Sequence, residues 1–302
     1  MERVRDIGED ALIERLVAGM PQGPDVLVGP GDDCAVMRSE DPAIHRLLKT
    51  DCLVEGVHFS RKHDPEKVGW KALCRTLSDI AAMAGKPEAA LVTVAVSGDH
   101  EIATVEAWYR GLRRAADDFG VSIVGGETSS LPGSMEGAAF LSITLTGTVP
   151  ADRCPLRSGA RAGDLIAVTG KLGGSFESGR HLEVEPRLRE ASWLAEHLRP
   201  TAMMDLSDGL AKDLPRLAKA SGDLGWRIDF DALPLHGGVD IAAALGDGED
   251  YELLFTLDRA CIGESWEAWE QAFPELPLTL IGEITKQIET PLEGGWDHFA
   301  KS

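Results

Sequence analysis

Short apolar runs alternate with amphipathic stretches through both halves of the chain, and this alternation limits the fold more than any other feature. In the first half, Asp64-Pro65 has the form of a helix N-cap followed by proline at the first helical position. The helix it opens runs to about Met83, where Gly85 and Pro87 stop it. Ala89 to Val96 reads as a buried strand, Glu101 to Phe119 as a second long helix, and Ala138 to Val149 as another strand. Ser122 to Val124 is a strand running into Gly125-Gly126-Glu127, and Leu47 to Phe59 is extended with a break near Glu55-Gly56. Gly8 to Met20 fits a short amphipathic helix with Leu12, Ile13, Leu16 and Val17 on one face.

The second half repeats the pattern. Strands are expected near Asp164–Thr169, Met203–Leu206, Trp226–Phe230, Tyr251–Thr256 and Leu278–Ile284, with helices between them. Such alternation predicts a mixed α/β protein. Pro150, Pro155 and the Arg157-Ser158-Gly159 turn mark a boundary, so domains of 1–150 and 151–302 are expected. A length of 302 residues suits two domains of ordinary size.

The net charge of −20 argues against nucleic acid or an anionic membrane as a partner. Five widely spaced cysteines without a Cys-x-x-Cys pair form neither a disulfide framework nor a zinc site. With no apolar N-terminal core and no apolar run of bilayer length, a cytoplasmic protein is expected.

Acidic residues recur where punctuation puts them at strand ends or helix starts: Asp32-Asp33, Asp51, Asp79, Glu127, Asp205, Asp208 and Glu249-Asp250. Carboxylates beside apolar strands need a partner, because an unpaired buried charge is costly. Converging carboxylates invite a hard divalent cation such as Mg²⁺, which takes oxygen ligands. Each acid also has a purely structural use. Asp32-Asp33 could form a turn. Ser207 and Asp208 could cap a helix. Asp79, four residues after Arg75, could make an exposed helical ion pair. No phosphate-binding Gly-x-x-x-x-Gly-Lys-Ser/Thr loop, protein-kinase signature, nucleophile elbow or His-Glu-x-x-His helix is present. A phosphotransferase built on this chain would grip phosphate mainly through metal ions.

The acidic motifs, in order, resemble the thiamine-monophosphate kinase family of the aminoimidazole ribonucleotide synthetase superfamily. The likeness runs from Gly8-Glu9-Asp10-Ala11 and Gly31-Asp32-Asp33-Cys34 through Thr50-Asp51-Cys52-Leu53-Val54-Glu55-Gly56-Val57-His58-Phe59 and Leu77-Ser78-Asp79-Ile80. It continues at Gly125-Gly126-Glu127-Thr128, Arg157-Ser158-Gly159, Asp205-Leu206-Ser207-Asp208-Gly209, Gly248-Glu249-Asp250-Tyr251 and Gly295-Trp296-Asp297-His298-Phe299.

The resemblance implies a two-domain α/β (α+β) fold, an N-terminal mixed sheet that forms the homodimer and ATP site, and ATP and thiamine monophosphate as substrates. It implies that Asp32, Thr50, Asp51, Asp79, Glu127, Asp205 and Asp208 ligate several Mg²⁺ ions, with Asp51, Asp79 and Asp208 central to catalysis. Gly126, Glu127, Arg157 and Ser207 would contact ATP, and His58, Glu249 and Trp296 the thiamine monophosphate. The acceptor is a phosphate oxygen already ionised at neutral pH, so direct in-line transfer without a general base is expected. The chain departs from the family pattern at Lys49, where a hydroxyl residue is common, at Thr76 and at Glu127, and it carries an added charge at Asp247. The rival readings are another ATP-using synthetase of the superfamily and a non-catalytic dimer that binds nucleotide or metal. The lack of a cysteine before Cys34 disfavours selenophosphate synthesis.

Overall fold

The computed structural model describes residues 2–132 and 138–299. Two sheets organise the chain. The first has six strands in the order β1-β2-β3-β6-β4-β5. They are β1 (Val26–Val28), β2 (Ala35–Arg38), β3 (Ile44–Val54), β4 (Lys86–Val96), β5 (Ser122–Ser130) and β6 (Ala139–Pro150). Every pairing in it is antiparallel except β4 with β5. The second sheet is antiparallel throughout, in the order β8-β10-β7-β11-β9. Its strands are β7 (Leu165–Thr169), β8 (Ala202–Asp205), β9 (Gly225–Ile228), β10 (Leu253–Leu257) and β11 (Leu278–Thr285).

Helix α2 (Pro65–Ala82) joins the two halves. Asp64 caps it as expected, its side chain accepting from the Glu66 N–H with proline at the next position. Leu73, Leu77 and Ile80 pack into the core under the first sheet with α3 (Ile102–Phe119), while Ala81 and Ala82 enter the core of the second half. The helix is therefore buried on more than one side, and a polar residue on it needs an internal partner. The second sheet is covered on both faces. Ile166, Val168, Met204 and Leu254 pack on the side of α6 (Leu210–Ala220) and α7 (Ile241–Gly246). Leu165, Met203, Leu253 and Phe255 pack on the side of α5 (Leu188–His197) and α8 (Glu264–Ala272). Such two-sided cover explains why β7 and β10 read as unbroken apolar runs.

Among the described residues, the first sheet is covered on one face only. Leu47, Leu53, Val92 and Val94 turn towards α2 and α3, whereas Leu48, Leu91 and Val124 remain exposed. The first helix also departs from the sequence reading. It spans Val4–Val17, with Gly8 at φ 76 breaking the helical path, and ends before Gly19-Met20. Its apolar face is not buried: Ile13 and Leu16 are exposed. What holds α1 is charge, with Glu9 on Lys212 at 2.6 Å and Asp10 on Arg216 at 2.8 Å, both on α6. The segment after β7 forms only a four-residue helix, α4 (Ser175–Ser178), and one 3₁₀ turn, and glycines with positive φ bracket it.

Candidate active site

Two of the expected metal ligands, Asp79 and Asp205, converge with Asp33 from distant parts of the chain. Asp33 sits in the loop between β1 and β2, Asp79 near the end of α2, and Asp205 at the end of β8. All three are buried, and one carboxylate oxygen from each lies within 4.8 Å of the others. Among the described residues, one oxygen of Asp33 has no hydrogen-bond partner. This donor set is all oxygen, crowded and under-satisfied, which fits a hard divalent cation such as Mg²⁺.

The cost of that crowding shows in the acidities. Burial pushes Asp205 up to about 6, with the nearby Asp33 adding to it, while the Ser78 hydroxyl donates to Asp205 at 2.6 Å and opposes the shift. Burial and then Asp33 likewise push Asp32 up to about 6. Asp79 is raised well above the usual range, chiefly by burial. It does not form the exposed pair with Arg75 that helical spacing allows. Instead the Lys49 ammonium reaches it from β3 at 2.5 Å. Arg75 turns to Asp51, donating through Nε at 2.6 Å. Burial works against the Asp51 carboxylate, yet Arg75 and Lys49 hold it below the usual range. The Arg157 guanidinium donates to Asp33 through Nε at 3.1 Å, and its backbone N–H donates to Asp32.

A cavity of about 440 Å³ lies beside this centre. Its walls bring together His58, Glu249 and Trp296, the residues expected at thiamine monophosphate, with Ser207, expected at ATP, Asp208, expected at metal, and Phe176, Tyr251 and His298. Arg75 connects the two features, lining the cavity while it pairs with Asp51. Trp296 is half-exposed. Its backbone N–H donates to the Asp208 carbonyl at 2.8 Å, and its carbonyl accepts from Lys212, which fixes the ring at the cavity wall.

His58 accepts the Val54 N–H at its Nδ1, 3.0 Å away. That bond leaves the proton of the neutral ring on Nε2. Burial and the Arg75 charge lower its pKa to about 3, so the imidazole is a neutral donor rather than a base. Glu249 sits on a left-handed turn with φ 55. Lys71 donates to both of its oxygens at 2.8 Å, and His181 lies 3.1 Å away. Burial opposes the charge, but the His181 hydrogen bond and Lys71 hold Glu249 down at about 2. Lys71, with no exposed surface, is pushed down to about 8 by burial against the pull of Glu249.

Asp208 belongs to a third cluster. It accepts from Arg216 at 2.6 Å, and the buried Asp213 accepts the backbone N–H groups of Ser207 and Asp208, each at 3.0 Å. Asp213 thus organises the loop that carries two cavity residues. Burial and then Asp208 raise it to about 8.

Besides Asp208, two expected metal ligands, Thr50 and Glu127, lie away from the carboxylate triplet. On β3, Lys49 and Asp51 reach α2, whereas the Thr50 hydroxyl points to the open face, near the Ser142 and Thr144 hydroxyls at 3.5 and 3.3 Å. Glu127 pairs with Thr93 across β4 and β5 and is exposed on the edge strand. Gly126 is next to it. A side chain there would meet the Val92 carbonyl at 1.8 Å, so this position admits only glycine. Within the single chain, Thr50, Gly126 and Glu127 are therefore separate from the Asp33–Asp79–Asp205 centre.

Sequence reasoning passed over Asp33 as a ligand, although it is half of an Asp-Asp doublet. It also missed Lys71, Arg75 and His181, whose partners lie far off in sequence and leave no local signal, and Asp213, which pairs with the nearby Ser207, Asp208 and Arg216 but reads as a surface acid in the first turn of α6.

Comparison with known proteins places these features in context. Residues 31–149 match the family model "AIR synthase related protein, N-terminal domain". A thiamine-monophosphate kinase from Rhodopirellula baltica is 35% identical, the alignment covering 97% of this chain and 93% of that protein. The enzyme of the same name from Aquifex aeolicus is 34% identical over 98% of this chain and 100% of its own length. The solved structure "AaThiL complexed with AMPPCP and TMP" superposes with a TM-score of 0.82 at 31% identity, covering 99% of both chains. The Escherichia coli hydrogenase maturation protein HypE, at 18% identity and a TM-score of 0.68 over 92% of this chain and 91% of its own, shares the fold alone.

Proposed function

The chain belongs to the thiamine-monophosphate kinase family, and from that membership we propose that it transfers the γ-phosphoryl group of ATP to thiamine monophosphate, giving thiamine diphosphate and ADP. The observation that carries this reading is the meeting of a buried carboxylate centre with a cavity walled by His58, Glu249 and Trp296. The centre suits Mg²⁺ and the polyphosphate of ATP; the cavity suits an organic cation with an aromatic ring system.

The Trp296 indole stacks on the thiamine rings, and the Glu249 carboxylate, ionised because Lys71 and His181 hold it, faces the positive charge of the thiazolium. Neutral His58 donates from Nε2 to the substrate. Asp32, Asp33, Asp51, Asp79, Asp205 and Asp208 are the residues that would hold Mg²⁺ ions, and the chemistry such ions would supply is neutralisation of the two anionic substrates and of the charge on the transferred phosphoryl. No protein base is required, because the acceptor oxygen is already ionised. Catalysis is positioning and electrostatic complementarity, in a single in-line displacement.

ATP contacts come from Gly126, Glu127, Arg157 and Ser207, with Thr50 and Glu127 adding metal ligands. That assignment calls for a homodimer through the open face of the first sheet, with each site close to the partner's edge strand. The exposed Leu48, Leu91 and Val124 support the arrangement, since apolar side chains on one open sheet face suit a protein interface. The division into domains at 150/151 follows the passage from the first sheet to the second. We place the protein in the cytoplasm: all five cysteines are unbonded, and no helix among the described residues is long and apolar enough to cross a membrane.

The test is a product assay with purified protein, ATP, Mg²⁺ and thiamine monophosphate. Thiamine diphosphate should form in step with ADP, and free thiamine should not be phosphorylated. Absence of thiamine diphosphate in folded, metal-loaded protein would refute the assignment.

A further inference from the structure

The carboxylate centre contains a cation of its own. Lys49 and Asp51 are two residues apart on β3 and so project from the same side of the strand, towards α2. Lys49 places its ammonium 2.5 Å from one oxygen of Asp79, a side chain only 8% exposed. The two other cations at the centre are already committed: Arg75 grips Asp51 and Arg157 grips Asp33. Arg157 thus enters the carboxylate triplet through Asp33 and Lys49 through Asp79, and Lys49 does so with a compact ammonium rather than a planar guanidinium. An ammonium is a compact point charge with three donors, close to a hydrated metal ion in the demands it makes on oxygen ligands. Two cations on one carboxylate oxygen repel strongly in a water-poor site.

We propose that the Lys49 ammonium is a resident cation of the carboxylate centre, filling a position on Asp79 that a divalent ion would otherwise take. The inference rests on the metal reading of Asp33, Asp79 and Asp205. It gives the chain a centre that binds one fewer divalent ion than its carboxylates could support. It also explains how so many buried acids coexist in the metal-free protein, since a fixed positive charge stays among them when the metal leaves.

The test is the Mn²⁺ stoichiometry of the metal-free full-length protein, read by electron paramagnetic resonance as free ion is depleted. Lys49→Met and Lys49→Gln remove the charge and should each bind one more Mn²⁺ per chain than the wild type. Lys49→Arg keeps the charge and should bind the wild-type number. An unchanged count in both neutral variants, or an extra ion in Lys49→Arg, would overturn the proposal. If the neutral variants fold only when Mn²⁺ is added, the ion has replaced the ammonium and the proposal stands. If Mn²⁺ does not restore them, it falls. Binding of no Mn²⁺ by the wild type or any variant would overturn the metal reading as well, whereas equal binding by all overturns the role of Lys49 alone.

Discussion

Of the acids in the centre, Asp205 is held by the Ser78 hydroxyl rather than by a direct cation partner, so its charge can be removed without stranding a lysine or arginine. Asp205→Asn keeps an oxygen to accept that hydroxyl. The variant should fold normally and lose turnover by at least about 10²-fold, the scale of removing one electrostatic contact to a transition state. Steady-state kinetics beside circular dichroism checks both halves of the expectation. Lys71 gives a second residue-level test. Lys71→Met leaves Glu249 buried without its main cation, a loss of about 3–5 kcal/mol in a broken buried pair. The KM for thiamine monophosphate should rise about 10-fold or more while the KM for ATP stays unchanged. In the double variant with Glu249→Gln the effects should be far from additive. Asp32, Asp51, Asp79, Asp205 and Asp208 could be picked out from the sequence because they fall in an ordered series of short motifs that resembles one family, although Asp51 lies within β3 and Asp79 near the end of α2 rather than at a strand end or helix start. Lys71 could not. Its partners His181 and Glu249 lie 110 and 178 residues away, and in a helix that reads as amphipathic a lysine passes for a surface residue.

At the scale of elements, α2 and α3 cross at a contact of backbone on backbone. A methyl group at Gly69 would lie 1.9 Å from the Trp108 carbonyl oxygen, and one at Gly111 would lie 1.8 Å from that of Glu66. Each glycine thus admits the other helix. Gly111→Ala should force the pair apart and destabilise the protein by about 1–3 kcal/mol, the cost of overpacking a tight core. A lower urea midpoint with an unchanged slope would confirm it. The capped start of α2 and the long strands were readable because capping and alternation are local. Strand direction was not. Alternating strands and helices are compatible with parallel crossovers, yet among the named strands only β4 and β5 pair in parallel, because β6 inserts between β3 and β4 and β10 inserts between β7 and β8. The apolar stripe of α1 misled for a related reason. Periodicity records amphipathicity, but whether a face is buried depends on what the rest of the chain offers it, and here α6 offers lysine and arginine.

For the whole molecule, the open face of the first sheet and the charge of the interior each set a prediction. Leu91 and Val124 sit exposed on that face, so Leu91→Glu with Val124→Glu should turn a dimer into a monomer in sedimentation and sharply lower activity. A monomeric wild type would remove the dimer from the account. The interior carries acids whose protons bind more tightly folded than unfolded. Burial and neighbouring acids raise Asp213 to about 8, and burial above all raises Asp250 to about 7. Stability from such raised groups is complete below their unfolded values and is lost as pH rises through the folded ones. His58 has the opposite sign. Burial depresses it to about 3, so its contribution is present above its unfolded value near 6.5 and is lost below that. Lys71, lowered to about 8, opposes the acids only at the top of the range. Between pH 8 and 6.5 the acids therefore dominate, and the metal-free protein should melt higher at pH 6.5 than at pH 8. The rise should be on the order of 2–4 °C, as about one proton taken up across that interval would produce. Mg²⁺ should reverse the order, since it stabilises the ionised carboxylates of Asp32 and Asp205 at pH 8 and competes with protons at them near pH 6. Thermal melts at the two pH values, with and without Mg²⁺, decide it: a metal-free protein that melts higher at pH 8 would mean that these acids are ionised, and paired, without a metal.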